Sequence, residues 1–122
     1  MKKGFIILGG EALTRYKLIK AISKHYKNHK WYDVRLKKSK LDYYVSCSEN
    51  TDVVLSHEID DAEFFWYFYS HFDSGIKVEK QGYDDLFIHP DMIISFKSEV
   101  TRNLLPQGLI KQFIIIDFNE TT

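Results

Sequence analysis

The chain has 122 residues, 44% of them hydrophobic, and 17 Lys/Arg balance 17 Asp/Glu to a net charge of zero. That size suits a single globular domain, 1–122, with one core, because two domains would each bury too little surface. Two prolines and six glycines exclude long flexible linkers, the lone Cys47 excludes a disulfide framework or a Cys-based zinc site, and no apolar run approaches the roughly 20 residues of a membrane-spanning helix.

The zero net charge conceals a bipolar chain. Residues 1–40 carry twelve Lys/Arg against two acids, residues 41–91 carry twelve acids against two bases, and residues 92–122 carry three of each. Such asymmetry points either to pairing of the two segments across the fold or to a charged partner.

In chain order, "MKKGFIILGG" opens with two lysines, as a secretory leader does, but its apolar run is only Phe5–Leu8. A leader needs about 7–15 apolar residues. The segment therefore reads as a first β-strand closed by Gly9-Gly10, and the expected compartment is the cytoplasm. "EALTRYKLIKAISKHYKN" has helical spacing. Leu18, Ile19, Ile22 and Tyr26 share a core face, and Lys17, Lys20, Lys24 and Lys27 form a stripe opposite. "WYDVRLK" and "LDYYVSC" alternate with a period of two across Lys38-Ser39-Lys40, which predicts a β-hairpin with Cys47 in a strand. "DVVLS" reads as a short strand. "IKVEK", "LFI", "MIISFK" and "LIKQFIIIDF" read as strands from their β-branched and aromatic content. In the last, Ile110, Ile114, Ile116 and Phe118 are expected on one face, and "SEVTRNLLP" before it forms a helical turn.

Between these lies "DDAEFFWYFYSHFDSG", residues 60–75, with six consecutive aromatics. Asp60 with Glu63 resembles a capping box and Gly75 a helix-ending glycine, so a helix is predicted. Phe64, Phe65, Phe68, Tyr69 and Phe72 then face the core. Trp66 and Tyr67 face outward among Asp60, Glu63, Ser70, His71 and Asp73. The resulting expectation is an α+β fold: a mostly antiparallel sheet of about five to six strands with two main helices packed on it.

No catalytic set emerges, so the chain is not read as an enzyme, and no cofactor or metal is expected. Gly9-Gly10 lacks the third glycine or the Lys of a phosphate loop, and Glu11 stands where phosphate would sit. His25 and His29 are spaced to clip a metal from one helix face, but no ligating carboxylate follows. His57-Glu58 lacks the second histidine of a zinc-protease motif. Asp84, Asp85, His89 and Asp91 are close in sequence and read as a solvated acidic loop.

Two functions remain. The concentrated acids with a central aromatic pair are the profile of small bacterial immunity or antitoxin-type inhibitors, in kind rather than by sequence motif. On this reading Asp60, Glu63, Trp66, Tyr67, Ser70, Asp73, Asp84 and Asp85 bind a basic protein partner, such as a nuclease toxin, by charge complementarity and aromatic anchoring. The alternative is a nucleic-acid-binding module using residues 15–40, in which Lys17, Lys20, Lys24, Lys27 and Arg35 meet phosphates and Trp31 stacks on a base.

Overall fold

A computed structural model describes residues 2–31, 50–60, 75–78 and 86–119. Strand β1 (Gly4–Leu8) leads through Gly9-Gly10 into helix α1 (Ala12–Ser23) and then strand β2 (His29–Trp31). Strand β3 (Val53–Ile59) follows, then β4 (Ile76–Val78), β5 (Leu86–Ile88) and β6 (Asp91–Phe96). A 3-10 turn (Arg102–Leu104), a one-turn helix α2 (Gln107–Ile110) and strand β7 (Ile114–Asp117) end the described chain. Five strands form one sheet in the order β2-β3-β6-β1-β7, while β4 and β5 pair antiparallel in a separate ribbon.

Every neighbour in the five-stranded sheet is parallel: Trp31 lies beside Leu55, Leu55 beside Ile93, Phe5 beside Ile93 and Ile114. The expected antiparallel sheet with two main helices is therefore replaced by a parallel sheet. Among the described residues α1 is the one helix longer than a single turn. The physical reason is visible in the strands themselves. A parallel sheet covered on both faces leaves no side for polar residues, so its strands are continuous apolar runs rather than alternating ones. Phe5–Leu8, Met92–Ile94 and Ile114–Ile116 are such runs. The alternating stretch that predicted a hairpin, and the predicted helix over 60–75, lie outside the described residues apart from their ends, as does Cys47.

The sheet separates two cores. On one face Ile7, Val53, Leu55 and Ile93 pack against Ile19 of α1, with Leu18, Ile22 and Tyr26 at its margin. On the other, Ile6, Leu8, Val54, Met92, Ile94 and Phe96 meet Val100, Leu105, Ile110 and Phe113 from the segment joining β6 to β7. Ile110 thus belongs to α2, and the expected face of the last strand is not formed. Ile114 and Phe118 are exposed, and Ile116 packs toward α1. The strands approach closely at Gly4, whose φ is +142° and where a Cβ would fall 1.8 Å from the Met92 carbonyl oxygen.

Helix α1 is shorter than its periodicity suggests. Ser23 is buried and its hydroxyl donates back to the Lys20 carbonyl (2.8 Å), competing with helix propagation. The chain then turns, and the Tyr26 hydroxyl donates to Asp91 at the start of β6 (2.9 Å). Burial, and then this bond to a carboxylate, push the Tyr26 phenol up to about 12. His25 lies beyond α1 and His29 begins β2, so they do not share a helix face as expected.

The chain leaves β1 across the α1 face toward β2, and leaves β6 across the opposite face toward β7. The carboxyl ends of the parallel strands form the edge at which α/β folds bind ligands.

Candidate functional site at the carboxyl edge of the sheet

Strand β3 is irregular at that edge. Its register with β6 runs regularly to Ser56 opposite Ile94 and resumes at Ile59 opposite Phe96. His57 and Glu58 therefore face the single residue Ser95, the arrangement of a β-bulge. Glu58 has a φ of 64°, the one non-glycine residue in the left-handed region among those described. Holding such a residue there costs on the order of 1–3 kcal/mol and requires surrounding contacts.

Those contacts are specific. The Glu58 backbone N–H donates to the Ser95 hydroxyl oxygen (2.9 Å), and Arg15 Nε donates to Glu58 Oε1 (2.7 Å). Arg15 is 1% exposed and lies on the buried face of α1, one and two turns before Ile19 and Ser23. Its Nη1 donates to the Gly9 and Gly10 carbonyls (2.8 and 2.6 Å) and to Ser98 Oγ (3.3 Å). One guanidinium thus ties the ends of β1, β3 and β6 together. The left-handed φ values of Gly9 (+73°) and Gly10 (+69°) bring both carbonyls to it. The glycine turn consequently presents oxygens to a cation rather than amides to a phosphate.

His57 Nδ1 lies 2.7 Å from Ser95 Oγ. That oxygen accepts the Glu58 N–H, and we assign its own proton to Nδ1 and the neutral ring's proton to Nε2, the nitrogen nearer the Glu58 carboxylate. Nε2 sits 3.9 Å from Glu58 Oε1, and the two side chains are 24% and 22% exposed. Burial lowers the His57 pKa, and the Arg15 charge lowers it further, against the opposing pull of Glu58. His57 therefore presents an Nε2–H donor beside a carboxylate acceptor at the solvent boundary.

An aromatic platform adjoins this pair. Tyr16 stacks on Trp31 with centroids 5.8 Å apart and planes at 26°, and meets the His57 ring edge-on at 5.3 Å. Lys20 Nζ lies 5.5 Å from the Tyr16 centroid, and Trp31 is 39% exposed. Lys17, Lys24, Lys27 and Lys30 are also exposed, and none of these five lysines joins an ion pair among the described residues.

Of the residues expected to bind nucleic acid, Lys17, Lys20, Lys24, Lys27 and Trp31 are exposed, Lys20 and Trp31 both meet Tyr16, and Arg35 lies outside the described residues. Of those expected to bind a basic protein, Asp60 is exposed at the end of β3, and Glu63, Trp66, Tyr67, Ser70, Asp73, Asp84 and Asp85 lie outside the described residues. Arg15, Ser95 and the role of His57-Glu58 escape a linear reading. The available signal is a charged pair ending the apolar run "VVLS", where a parallel strand delivers its residues to the ligand edge. Among the described residues no three His, Cys, Asp or Glu side chains gather as metal ligands, and no helix is long and apolar enough to cross a membrane. No protein-family model matches the chain, and no curated protein matches it in sequence.

Proposed function

We propose that the chain is a nucleic-acid-binding module that takes a single strand across α1 and β2. The observation that carries this is the Tyr16–Trp31 stack with Lys20 Nζ over the Tyr16 ring, in a segment whose exposed Lys17, Lys20, Lys24, Lys27 and Lys30 join no ion pair among the described residues. Lysines supply sequence-independent attraction to phosphates through counterion release. Exposed aromatic faces add stacking that every base can accept, worth about 1–3 kcal/mol per base. Flexible single strands suit this surface better than duplex, since a stacked platform needs an unstacked base. The inhibitor reading rests on the concentration of acids over 41–91, most of which lie outside the described residues, and it stands second.

The test is anisotropy of a labelled single-stranded oligonucleotide across ionic strength. Four lysine–phosphate contacts give a log–log salt slope of about −3, with binding at low salt that fades toward physiological salt. Trp31→Ala should weaken it about tenfold at any one salt concentration. Absence of binding at 20 mM salt, or binding indifferent to salt, would sink the reading.

A further inference from the structure

The basic flank explains attraction to a strand, but not why a strained bulge places His57 and Glu58 beside the platform. We propose that this pair reads the Watson–Crick edge of one base and selects guanine. The inference rests on the nucleic-acid reading above and specifies its ligand.

With the Ser95 hydroxyl assigned as donor to Nδ1 at 2.7 Å, His57 offers Nε2–H. Glu58 offers its carboxylate, with Oε1 fixed by Arg15 Nε at 2.7 Å. Donor and acceptor stand 3.9 Å apart, and both side chains reach solvent. A matching base must present an acceptor next to donors. Guanine presents O6 beside N1–H and N2–H, so a carboxylate can accept both donors while a histidine N–H meets O6. Adenine and cytosine offer one amino group beside a ring nitrogen, which uses only half of the carboxylate. Uracil offers one N–H between two carbonyls, and its second carbonyl would face the negative charge.

The surroundings fix the pair in place. Arg15 is 1% exposed and is itself held by the Gly9 and Gly10 carbonyls, so Glu58 cannot swing away without exposing a buried cation. The bulge turns two successive side chains toward the carboxyl edge, which regular pleating would send to opposite faces. Tyr16, edge-on to His57 and stacked on Trp31, supplies the adjoining ring surface. Recognition by stacking plus hydrogen bonds to a splayed base edge is the general mode of sequence-specific single-strand binding.

The experiment compares six-nucleotide uridine strands carrying one central G, A or C at low salt. The expected result is that the G strand binds about tenfold more tightly than the A, C or all-U strands, the scale of one good bidentate contact. In His57→Ala and Glu58→Gln that ratio should collapse to about twofold or less, within the loss of such a contact. Circular dichroism melts establish that each variant is folded. A second measurement uses the unaltered protein: the His57 ring nitrogen resonances should shift on adding guanosine 5′-monophosphate and stay in place with adenosine 5′-monophosphate. Equal affinity for the four strands, or a guanine preference that survives in both folded variants, overturns the inference while leaving the platform intact. Failure of every strand to bind removes the platform reading and the inference with it.

Discussion

A guanidinium that is 1% exposed has lost its water and is costly to bury unless its donors are met, and at Arg15 they meet one carboxylate, two carbonyls and a hydroxyl. Arg15→Ala leaves the Glu58 carboxylate uncompensated above a left-handed backbone. The expected loss is about 3–5 kcal/mol by denaturant unfolding, the range for breaking a buried pair from one side. Arg15→Lys should recover only part of it, since an ammonium cannot span the same planar fork. A loss below about 1 kcal/mol would mean that the cluster does not hold the bulge. His57 adds a pH signature. Its folded pKa is lowered from 6.5, mainly by burial, so below pH 6.5 the unfolded chain binds a proton more readily than the folded one. The associated stability is fully present above 6.5 and is lost as pH falls from there toward the folded pKa. Urea unfolding between pH 7 and 5 should show this slope, and His57→Gln should flatten it. Parallel slopes in the two proteins would contradict the assignment.

At the scale of elements, the end of α1 is joined to the start of β6 by Tyr26 and Asp91. Tyr26→Phe should cost about 1–2 kcal/mol near neutral pH, for a hydrogen bond to a charged acceptor at a partly buried site. The folded phenol titrates near 12 whereas the unfolded one titrates near 10, so the unfolded state loses its proton first as pH rises. Unaltered protein should therefore lose stability between pH 10 and 12, and the gap to Tyr26→Phe should narrow there. A constant gap would show that the hydrogen bond is absent in solution. The same elements show what the sequence makes legible. The apolar runs of β1, β6 and the 114–116 segment and the core face of α1 could each be read from local spacing, whereas Lys24 and Lys27 of the expected stripe lie beyond the helix. Strand direction could not, because an apolar run is equally consistent with either pairing until its neighbours are known. Nor could the site be read. Arg15 and Glu58 are 43 residues apart, and only the placement of β3 beside β6 and the bulge at Ser95 bring His57 and Glu58 to the Arg15–Tyr16 turn of α1. The sequence offered His57-Glu58 only as an incomplete metal motif, since its meaning depends on Ser95 and Arg15 in three dimensions.

For the whole molecule, the long-range order of the sheet and the distribution of charge are linked. Strand β1 pairs with β6 and β7, which enter only at Asp91 and Ile114, so the amino-terminal basic segment is fixed in place by the last third of the chain. A fold closed in this way can turn its basic segment outward or cover it with the acidic one, and the two cases respond oppositely to charge reversal. Lys17 and Lys24 are exposed and join no ion pair among the described residues. The double variant Lys17→Glu/Lys24→Glu should then change unfolding stability by no more than about 0.5 kcal/mol, as surface substitutions without partners do. Its affinity for a single-stranded oligonucleotide should fall by more than about tenfold at low salt. The log–log salt slope should shrink by about 1.4, the share of two phosphate contacts on a single strand. Stability and affinity together separate the alternatives. If both lysines engage acids of the 41–91 segment, reversal places like charges in contact and lowers the unfolding midpoint sharply. If instead the flank serves a strand of nucleic acid, the fold keeps its stability and the salt dependence records the two lost contacts.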